Sequence, residues 1–377
     1  MHLGIITFQS ANNYGAFLQA YSLLRKLNSF ENVDADIIDY ICSPIENHYK
    51  ASSLFSGNEN IIKKCIKFVL RMPSIIRQQK VFSVCREKNL RIKYRRIERK
   101  DLFGIENDYD MFIVGSDQVW NNELINGDLT FFLDFVSENK KKSSYAISMG
   151  NESMNSFSEE QVKFISEFNH ICVRERALVQ LLSQQIDENK LICCIDPVFL
   201  TPQDDWRIFS KSPSHKKYVL IFVMGTGNYV GKMVEFGLNL AKKNHLEPLF
   251  LSDQDRWYKF RNILHLKGVS PEQFVGLIDN ADYVVTNSFH GTCLSIIMHT
   301  PFYVETAIKR SGRVIDILSR FNLQNRTLSD GVLDADNTGE IVWNEIDGLI
   351  RNEVDYAEKY LNRIVFENKY NGGAEET

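Results

Sequence analysis

The order of apolar and polar residues predicts a repeated succession of buried strands and amphipathic helices. Short apolar runs, typical of buried parallel strands, alternate with segments whose apolar residues recur at helical spacing. The predicted strands cover 3–8, 36–40, 109–115, 143–149, 171–173, 191–200, 218–224, 248–251, 263–266, 283–285 and 302–305. Helices are predicted over 17–27, 158–168, 177–182, 230–243, 271–280, 314–321 and 340–368. This alternation indicates the α/β class with doubly wound, Rossmann-like sheets.

The length of 377 residues favours two such domains, because a single hydrophobic core rarely serves a chain of this size. The polar segment 201–217 is interpreted as the linker between them. We therefore assign 1–205 to a first domain, 206–345 to a second, and 346–377 to a final helix that crosses back over the first domain and a frayed end. Two α/β domains with a site between them make a GT-B-like architecture.

Composition and charge indicate an ordinary globular enzyme. The chain is 44% hydrophobic and 24% charged, and its net charge of -4 argues against a nucleic-acid partner. Its seven cysteines are irregularly spaced, which favours buried free thiols over disulfides or a metal site. The first residues lack the features of a signal peptide, and no apolar run approaches the length of a membrane span. We expect a cytoplasmic protein without a bound metal.

A basic, helix-forming insertion covers about 58–99. It is interpreted as a solvated helical insertion. The alternative is an amphipathic basic face that rests on anionic lipid at the inner face of the membrane.

The stretch 283–299 carries the strongest site signal. An apolar strand leads into Asn287, Ser288, His290, Gly291 and Thr292, and an apolar helix follows. Ligands of open α/β sheets bind at the carboxyl ends of strands, where helix N-termini attract anions. The stretch therefore predicts an anion site, and His290 is either its catalytic group or a structural histidine.

Cations at two other places suit the same ligand. Arg174 follows an apolar strand, where an arginine forms a buried ion pair or grips a carboxylate or phosphate. Lys309, Arg310 and Arg313 crowd the start of a predicted helix, a position that disfavours cations unless an anion offsets them.

Polar strand ends in the first domain offer a second set of contacts. Asn12, Asn13 and Gly15 form the turn after the first strand, and Gly15 permits close backbone approach. Ser116 and Asp117 end a later strand with groups for a substrate hydroxyl, and Trp120 either stacks on a sugar or belongs to the core.

Taken in order, these pieces resemble the polysaccharide pyruvyl transferase family over most of the chain, from about 4 to 323. The matching motifs are Asn13-Tyr-Gly15, the segment 109–120 with its Gly-Ser-Asp-Gln-Val-Trp end, Val173-Arg174-Glu175, Asp196-Pro197-Val198 and Thr286-Asn-Ser-Phe-His-Gly-Thr292. One departure is Ala16, since many members have an acidic residue there.

The resemblance implies transfer of the pyruvyl unit of phosphoenolpyruvate to two hydroxyls of a sugar, forming a ketal and releasing phosphate. His290 and Arg174 are then catalytic. Arg174, Ser288, His290, Gly291, Thr292, Lys309, Arg310 and Arg313 form the donor site, and Asn12, Asn13, Gly15, Ser116, Asp117 and Trp120 form the acceptor site. No cofactor beyond the co-substrate phosphoenolpyruvate is implied. The expected acceptor is a polyprenyl-diphosphate-linked sugar bound for a surface or capsular polysaccharide. The rival interpretation is a GT-B glycosyltransferase that uses a nucleotide-sugar donor.

Overall fold

The computed structural model describes residues 1–49, 60–150, 157–253, 258, 260–307, 311–333 and 339–371. Within these ranges the chain forms two parallel sheets flanked by helices. Central strands such as Met111–Val114 and Tyr218–Val223 are short apolar runs buried on both faces, as expected for parallel sheets that helices cover.

The first sheet has the strand order β2-β1-β3-β4 and is parallel throughout. A two-stranded parallel sheet, β5-β6, continues it through isolated bridges from Ser143 to His170 and from Ile147 to Val173. The strands of this half are β1 (His2–Ile6), β2 (Asp34–Ile37), β3 (Met111–Val114), β4 (Lys141–Ser144), β5 (Ile171–Val173) and β6 (Leu191–Cys193).

The second sheet has the order β13-β12-β11-β10-β7-β8-β9, and only its last hairpin, β12-β13, is antiparallel among the described strands. Its strands are β7 (Tyr218–Val223), β8 (Glu247–Ser252), β9 (Leu264–His265), β10 (Tyr283–Thr286), β11 (Phe302–Glu305), β12 (Thr327–Ser329) and β13 (Val332–Leu333). Strand β10 pairs with β7 and β11, so the turn that follows it lies at the middle of the sheet's carboxyl edge.

The helices of the first half are α1 (Tyr14–Leu27), α2 (Ser43–Tyr49), α3 (Ile61–Asn89), α4 (Arg99–Ile105), α5 (Asn122–Ile125), α6 (Glu159–Ser166), α7 (Arg176–Leu182) and α8 (Gln203–Phe209). Those of the second half are α9 (Asn228–Asn244), α10 (Pro271–Asp279), α11 (Phe289–Ile297), α12 (Gly312–Arg320) and α13 (Trp343–Asn371). Short 3-10 helices include Pro197–Leu200. No helix in these described ranges combines the length and apolarity needed to cross a bilayer.

The last helix, α13, returns to the first half. The Tyr360 hydroxyl donates a 2.7 Å hydrogen bond to the carbonyl of Ser144 on β4. Glu358 pairs with Lys26 of α1 at 2.5 Å. These contacts attach the C-terminal helix to the first sheet, as the predicted fold class requires.

One large apolar cluster joins the two halves. Tyr14 of α1 stacks on Phe274 of α10 with ring centroids 4.2 Å apart, and its hydroxyl donates to the carbonyl of Val269 at 3.0 Å. The turns at the carboxyl ends of β1 and β10 therefore face each other across a packed contact.

Three predicted elements differ from the structure. The predicted strand 143–149 is observed over Lys141–Ser144. The segment 201–217, predicted as a linker, contains helix α8, whose Trp206 is buried against Tyr21 of α1. The predicted strand 191–200 ends at Cys193, because Asp196 and Pro197 start a 3-10 helix there.

Candidate active site

The turn between β10 and α11 is built by its own polar side chains. The Ser288 hydroxyl caps α11 by accepting a hydrogen bond from the amide of Gly291 at 3.2 Å. The Thr292 hydroxyl donates to the carbonyl of Ser288 at 2.9 Å. This bonding fixes the first turn of α11 and so the direction of His290, the second residue of the helix.

A buried carboxylate joins the predicted arginine to the predicted histidine. Asp196 Oδ2 lies 2.7 Å from Arg174 Nη2 and 3.4 Å from His290 Nε2. The other oxygen, Oδ1, accepts a 3.0 Å hydrogen bond from the amide of Val198. All three side chains are buried. Arg174 follows β5 and His290 follows β10, so the cluster spans both halves of the molecule.

The electrostatics of the cluster keep Asp196 ionised. Burial by itself would raise the pKa of this carboxyl, but Arg174 and then His290 outweigh burial and lower the pKa to about 2. Burial likewise opposes the charge of Arg174, yet Asp196 and Asp117 leave its pKa raised. A carboxylate held in this state can orient an imidazole and stabilise its protonated form.

The ring of His290 lies against Gly15 of the first turn. A Cβ atom placed on Gly15 would come within 2.0 Å of His290 Nδ1 and 2.5 Å of Cε1. The predicted close backbone approach at Gly15 therefore exists, and the group that approaches is the imidazole. Because Nε2 faces Asp196, Nδ1 is the ring nitrogen on the side of the Asn13–Gly15 turn.

A narrow cleft opens beside this cluster, and Ile195, Phe289 and Ile317 form its apolar lining. Its polar lining comprises Arg174, Glu175, Asp196, Arg313, Asp316 and Arg320. The Phe289 ring contacts two of these cations, with its centroid 5.1 Å from the Arg174 guanidinium and 5.4 Å from that of Arg313. The cleft thus brings three arginines and three carboxylates together.

Arg174 and Arg313 keep unsatisfied donors in this cleft. Arg174 Nε and Nη1 and Arg313 Nε are buried without a hydrogen-bond partner in the described parts of the chain. Burial, and then Arg174, lower the pKa of Arg313. Buried donors are normally satisfied, so these three N–H groups point to an anionic ligand.

Glu175 supplies a second kind of acid to the cleft. Its carboxylate accepts a hydrogen bond from the Ser148 hydroxyl. Burial raises the pKa of Glu175, although Arg174 and the Ser148 hydroxyl act in the opposite direction. The site therefore contains an ionised carboxylate, Asp196, and a carboxyl that retains its proton to higher pH.

Arg320 of α12 connects the two halves beneath the cleft. Its Nη2 donates to the carbonyl of Arg174 at 3.0 Å, and its Nη1 lies 3.0 Å from Glu353 of α13. Its Nε pairs with Asp316 at 2.9 Å. Arg320 thus fixes the backbone that carries Arg174.

The predicted donor residues have different outcomes. His290, Arg174 and Arg313 come together around the cleft. Lys309 and Arg310 lie outside the described residues. The prediction for Ser288, Gly291 and Thr292 is corrected: their polar groups bond to one another to build the turn, so they position His290 rather than face the ligand.

The predicted acceptor residues require corrections as well. Trp120 is 0% exposed, donates through Nε1 to the Phe131 carbonyl at 2.9 Å and stacks on Phe132, so it is a core residue and no sugar platform. Ser116 is buried, donates to the Ala146 carbonyl at 2.9 Å and accepts from Arg174, which makes it a support for the arginine.

Three polar side chains that were predicted to bind the acceptor lie near the cluster, but each already accepts hydrogen bonds from within the protein. Asn12 Oδ1 accepts from both terminal nitrogens of Arg86, at 3.1 and 3.2 Å. Asn13 caps α1 by accepting from the amide of Ala16 at 3.1 Å. Asp117 Oδ1 accepts from the amide of Gln118 at 2.9 Å.

Sequence reasoning missed Asp196, Glu175, Phe289 and Arg320 as site residues. Asp196 offered a signal, since an aspartate followed by a proline directly after a strand is a helix cap next to a sheet edge. Arg320 offered none, because Arg174 and Glu353, its partners outside α12, lie at distant positions of the sequence.

Comparison with solved structures shows the fold. The chain superposes on the S. aureus MnaA–UDP co-structure with a TM-score of 0.52 and 9% identity, covering 98% of this chain and 96% of that one. UDP-GlcNAc 2-epimerase from Methanocaldococcus jannaschii, in complex with UDP-GlcNAc and UDP, gives 0.50 and 14%, covering 94% and 93%. The Neisseria meningitidis UDP-GlcNAc 2-epimerase bound to UDP-GlcNAc gives 0.50 and 11%, covering 96% and 93%. The fold is GT-B-like, as predicted.

Comparison of sequences identifies the family. No curated protein matches the chain significantly. The family model for polysaccharide pyruvyl transferase matches residues 13–305, which include Gly15, Arg174, Asp196 and His290. The chain therefore belongs to the polysaccharide pyruvyl transferase family.

Proposed function

We propose that this pyruvyl transferase moves the pyruvyl unit of phosphoenolpyruvate onto two hydroxyls of one sugar, forming a ketal and releasing phosphate, in the synthesis of a surface or capsular polysaccharide. The observation that supports this most is the buried Arg174–Asp196–His290 cluster beside Arg313, with three unsatisfied guanidinium donors.

The donor has a phosphate and a carboxylate, and the cleft has cations for them. Arg174 is neutralised by Asp196, and Arg320 by Asp316 and Glu353. For Arg313, no carboxylate of the described chain lies within ion-pair distance. Arg313 is half-buried with a fully buried Nε, and a cation in this setting without a counter-ion favours an anionic ligand. Arg313 and the unsatisfied Nε and Nη1 of Arg174 together suit a ligand with two negative charges.

The proton transfers are assigned by geometry and charge. His290 Nε2 lies 3.4 Å from Asp196 Oδ2, and we assign the proton of the neutral ring to Nε2, which leaves Nδ1 as the base on the side of the acceptor turn. We assign to Nδ1 the proton of the first attacking sugar hydroxyl. General-base catalysis of this kind contributes about 10²–10⁴-fold to the rate.

The methylene carbon of the donor must gain a proton. Glu175 lines the cleft next to the cations and its pKa is raised, so we assign this proton to its carboxyl. Protonation of the C=C bond generates an oxocarbenium-like centre, and the first hydroxyl oxygen bonds to it. The second hydroxyl then bonds to the same carbon as the C–O bond to phosphate breaks, and its proton leaves with the phosphate.

The acceptor approaches from the first half of the molecule, where the Asn13–Gly15 turn faces His290. A sugar carried on a polyprenyl diphosphate is the proposed form, because polysaccharide units are assembled on such carriers.

The test combines the purified protein with phosphoenolpyruvate, a panel of nucleotide-sugars and lipid-linked sugar acceptors. Phosphate release and acceptor mass are followed together. The proposal predicts phosphate in equal amount to an acceptor that has gained one pyruvyl ketal. Consumption of a nucleotide-sugar while phosphoenolpyruvate stays intact would support the glycosyltransferase and reject the proposal.

A further inference from the structure

The first half of helix α3 turns its apolar side chains toward solvent. Ile62, Ile66, Val69, Pro73 and Ile76 recur at spacings of four and three residues and therefore share one side of the helix. The four aliphatic members are 65%, 55%, 68% and 54% exposed, respectively. We call these five residues the outer stripe. A surface helix normally turns its apolar side to the core, so this arrangement is inverted.

The second half of α3 is anchored and gives the helix a fixed direction. Ile75, Gln78, Phe82 and Cys85 are buried, whereas none of the described side chains of 60–74 is. Gln78 Nε2 donates to the carbonyl of Asp253 at 2.7 Å, and the Phe82 ring lies 5.2 Å from that of Tyr14. The outer stripe is thus presented by a helix whose other end is packed between the two halves.

Charge decides what covers the outer stripe. The sequence from 61 to 77 contains Lys63, Lys64, Lys67, Arg71 and Arg77 and no acidic residue. A second copy of the same helix would add the same excess of positive charge and no acidic side chain to offset it. An anionic lipid surface offers both an apolar layer for the stripe and negative charge for the lysines and arginines.

We propose that the outer stripe docks on an anionic membrane surface. The anchored end of the same helix reaches the site, because Arg86 donates to Asn12 beside the Asn13–Gly15 turn. Ile62 and Arg86 are 24 residues apart, or about 36 Å along an α-helix. Docking would therefore hold the acceptor turn within a few tens of ångströms of the membrane. This consequence for a lipid-linked acceptor rests on the proposed function, whereas the docking itself does not.

The test is co-sedimentation of the full chain with vesicles that contain neither donor nor acceptor. Wild-type protein should sediment with vesicles of phosphatidylglycerol and phosphatidylcholine at least tenfold more tightly than with phosphatidylcholine alone, and high salt should weaken this binding. The Val69→Glu variant should lose at least tenfold in affinity for the anionic vesicles. The matched control is Ile208→Glu, which places the same charge at an 80% exposed isoleucine of α8 and should bind as wild type does.

Three results would overturn the proposal. The first is the absence of wild-type binding to anionic vesicles, and the second is equal binding by wild type and Val69→Glu with both variants folded by circular dichroism. The third is a wild-type dimer in sedimentation equilibrium that Val69→Glu, but not Ile208→Glu, dissociates, because a second copy would then cover the outer stripe. Since no reaction is measured, each result is independent of whether the chemistry proposed above is correct.

Discussion

Gly15 and His290 touch across the two halves of the molecule, and the absence of a side chain on Gly15 makes the contact possible. A Cβ atom at residue 15 would lie 2.0 Å from His290 Nδ1. The imidazole is held on its other side by Asp196, so it cannot yield without losing that carboxylate. The position of the proposed base therefore depends on a glycine in the other half of the chain.

Gly15→Ala should consequently reduce turnover by at least about 100-fold, the range of a lost general base. The affinity for phosphoenolpyruvate should change little, because the guanidinium groups stay in place. Steady-state kinetics and isothermal titration calorimetry separate the two quantities. Gly104→Ala is the matched control, since no atom lies within 4 Å of a Cβ built at that residue. Wild-type turnover in Gly15→Ala would contradict the assigned role of the contact.

Arg313→Gln should weaken binding of phosphoenolpyruvate about tenfold to 100-fold. A hydrogen bond to a charged group contributes about 1.5–3 kcal/mol, and this side chain has no carboxylate within ion-pair distance among the described residues. Thermal stability should change little, because this half-buried side chain has no ion pair to lose among the described residues. Titration calorimetry measures the dissociation constant. Arg25→Gln, at an exposed ion pair with Asp205, is the control and should bind normally. An unchanged dissociation constant in Arg313→Gln would move the donor site elsewhere.

Asp196→Asn should lower the free energy of unfolding at neutral pH by about 3–5 kcal/mol, because it leaves the charge of Arg174 buried without its partner. The pKa of Asp196 is lowered to about 2, so its stabilising effect is present above its ordinary pKa and is lost as pH falls toward 2. Urea unfolding between pH 2 and 7 should show a stability difference between wild type and variant that shrinks over the acidic end. A constant difference across that range would contradict the assigned ion pair.

The effect of Glu175→Gln on stability should depend on pH in the opposite direction to that of Asp196→Asn. The pKa of Glu175 is raised, so its contribution to stability is full below its ordinary pKa and is lost as pH rises through the folded-state value. At neutral pH the variant should be as stable as wild type or more stable, while turnover falls because glutamine cannot supply a proton. The same urea series measures the stability of the variant, and a phosphate-release assay measures its turnover. Normal turnover in Glu175→Gln would exclude this residue as the acid.

Trp120→Phe should reduce stability and leave the acceptor KM unchanged. The indole is fully buried, and its Nε1–H hydrogen bond to the Phe131 carbonyl would be lost. The free energy of unfolding should fall by about 1–3 kcal/mol. A large rise in KM at unchanged stability would restore Trp120 as an acceptor contact.

The sequence predicted the fold class because the central parallel strands, such as β7 and β10, are continuous apolar runs that stand out from their polar ends. It also indicated Arg174 and His290 as candidates, because Arg174 directly follows one such strand and His290 lies at the start of the helix after another. Their linkage through Asp196 was not predictable in the same way. Asp196 joins residues 22 positions before and 94 positions after it, and only the packing of the two sheets brings them together.

Residue type alone does not show whether a polar side chain at a strand end binds a ligand or supports the protein. Ser116, Ser288 and Thr292 have groups that suit a ligand, but buried turns need the same groups for their own backbone and for Arg174. The sequence cannot decide between these uses. The two interpretations of the 58–99 insertion stayed open for a similar reason, because helical periodicity does not tell which side of a helix meets solvent.

The most direct test of the proposed chemistry compares wild type with His290→Ala. Phosphoenolpyruvate affinity is measured by calorimetry, and phosphate release is measured with a lipid-linked acceptor. We predict that His290→Ala binds phosphoenolpyruvate within a few-fold of wild type and releases phosphate at least about 100-fold more slowly. Equal rates of phosphate release per folded molecule, together with reduced thermal stability of the variant, would show a structural histidine and contradict the account.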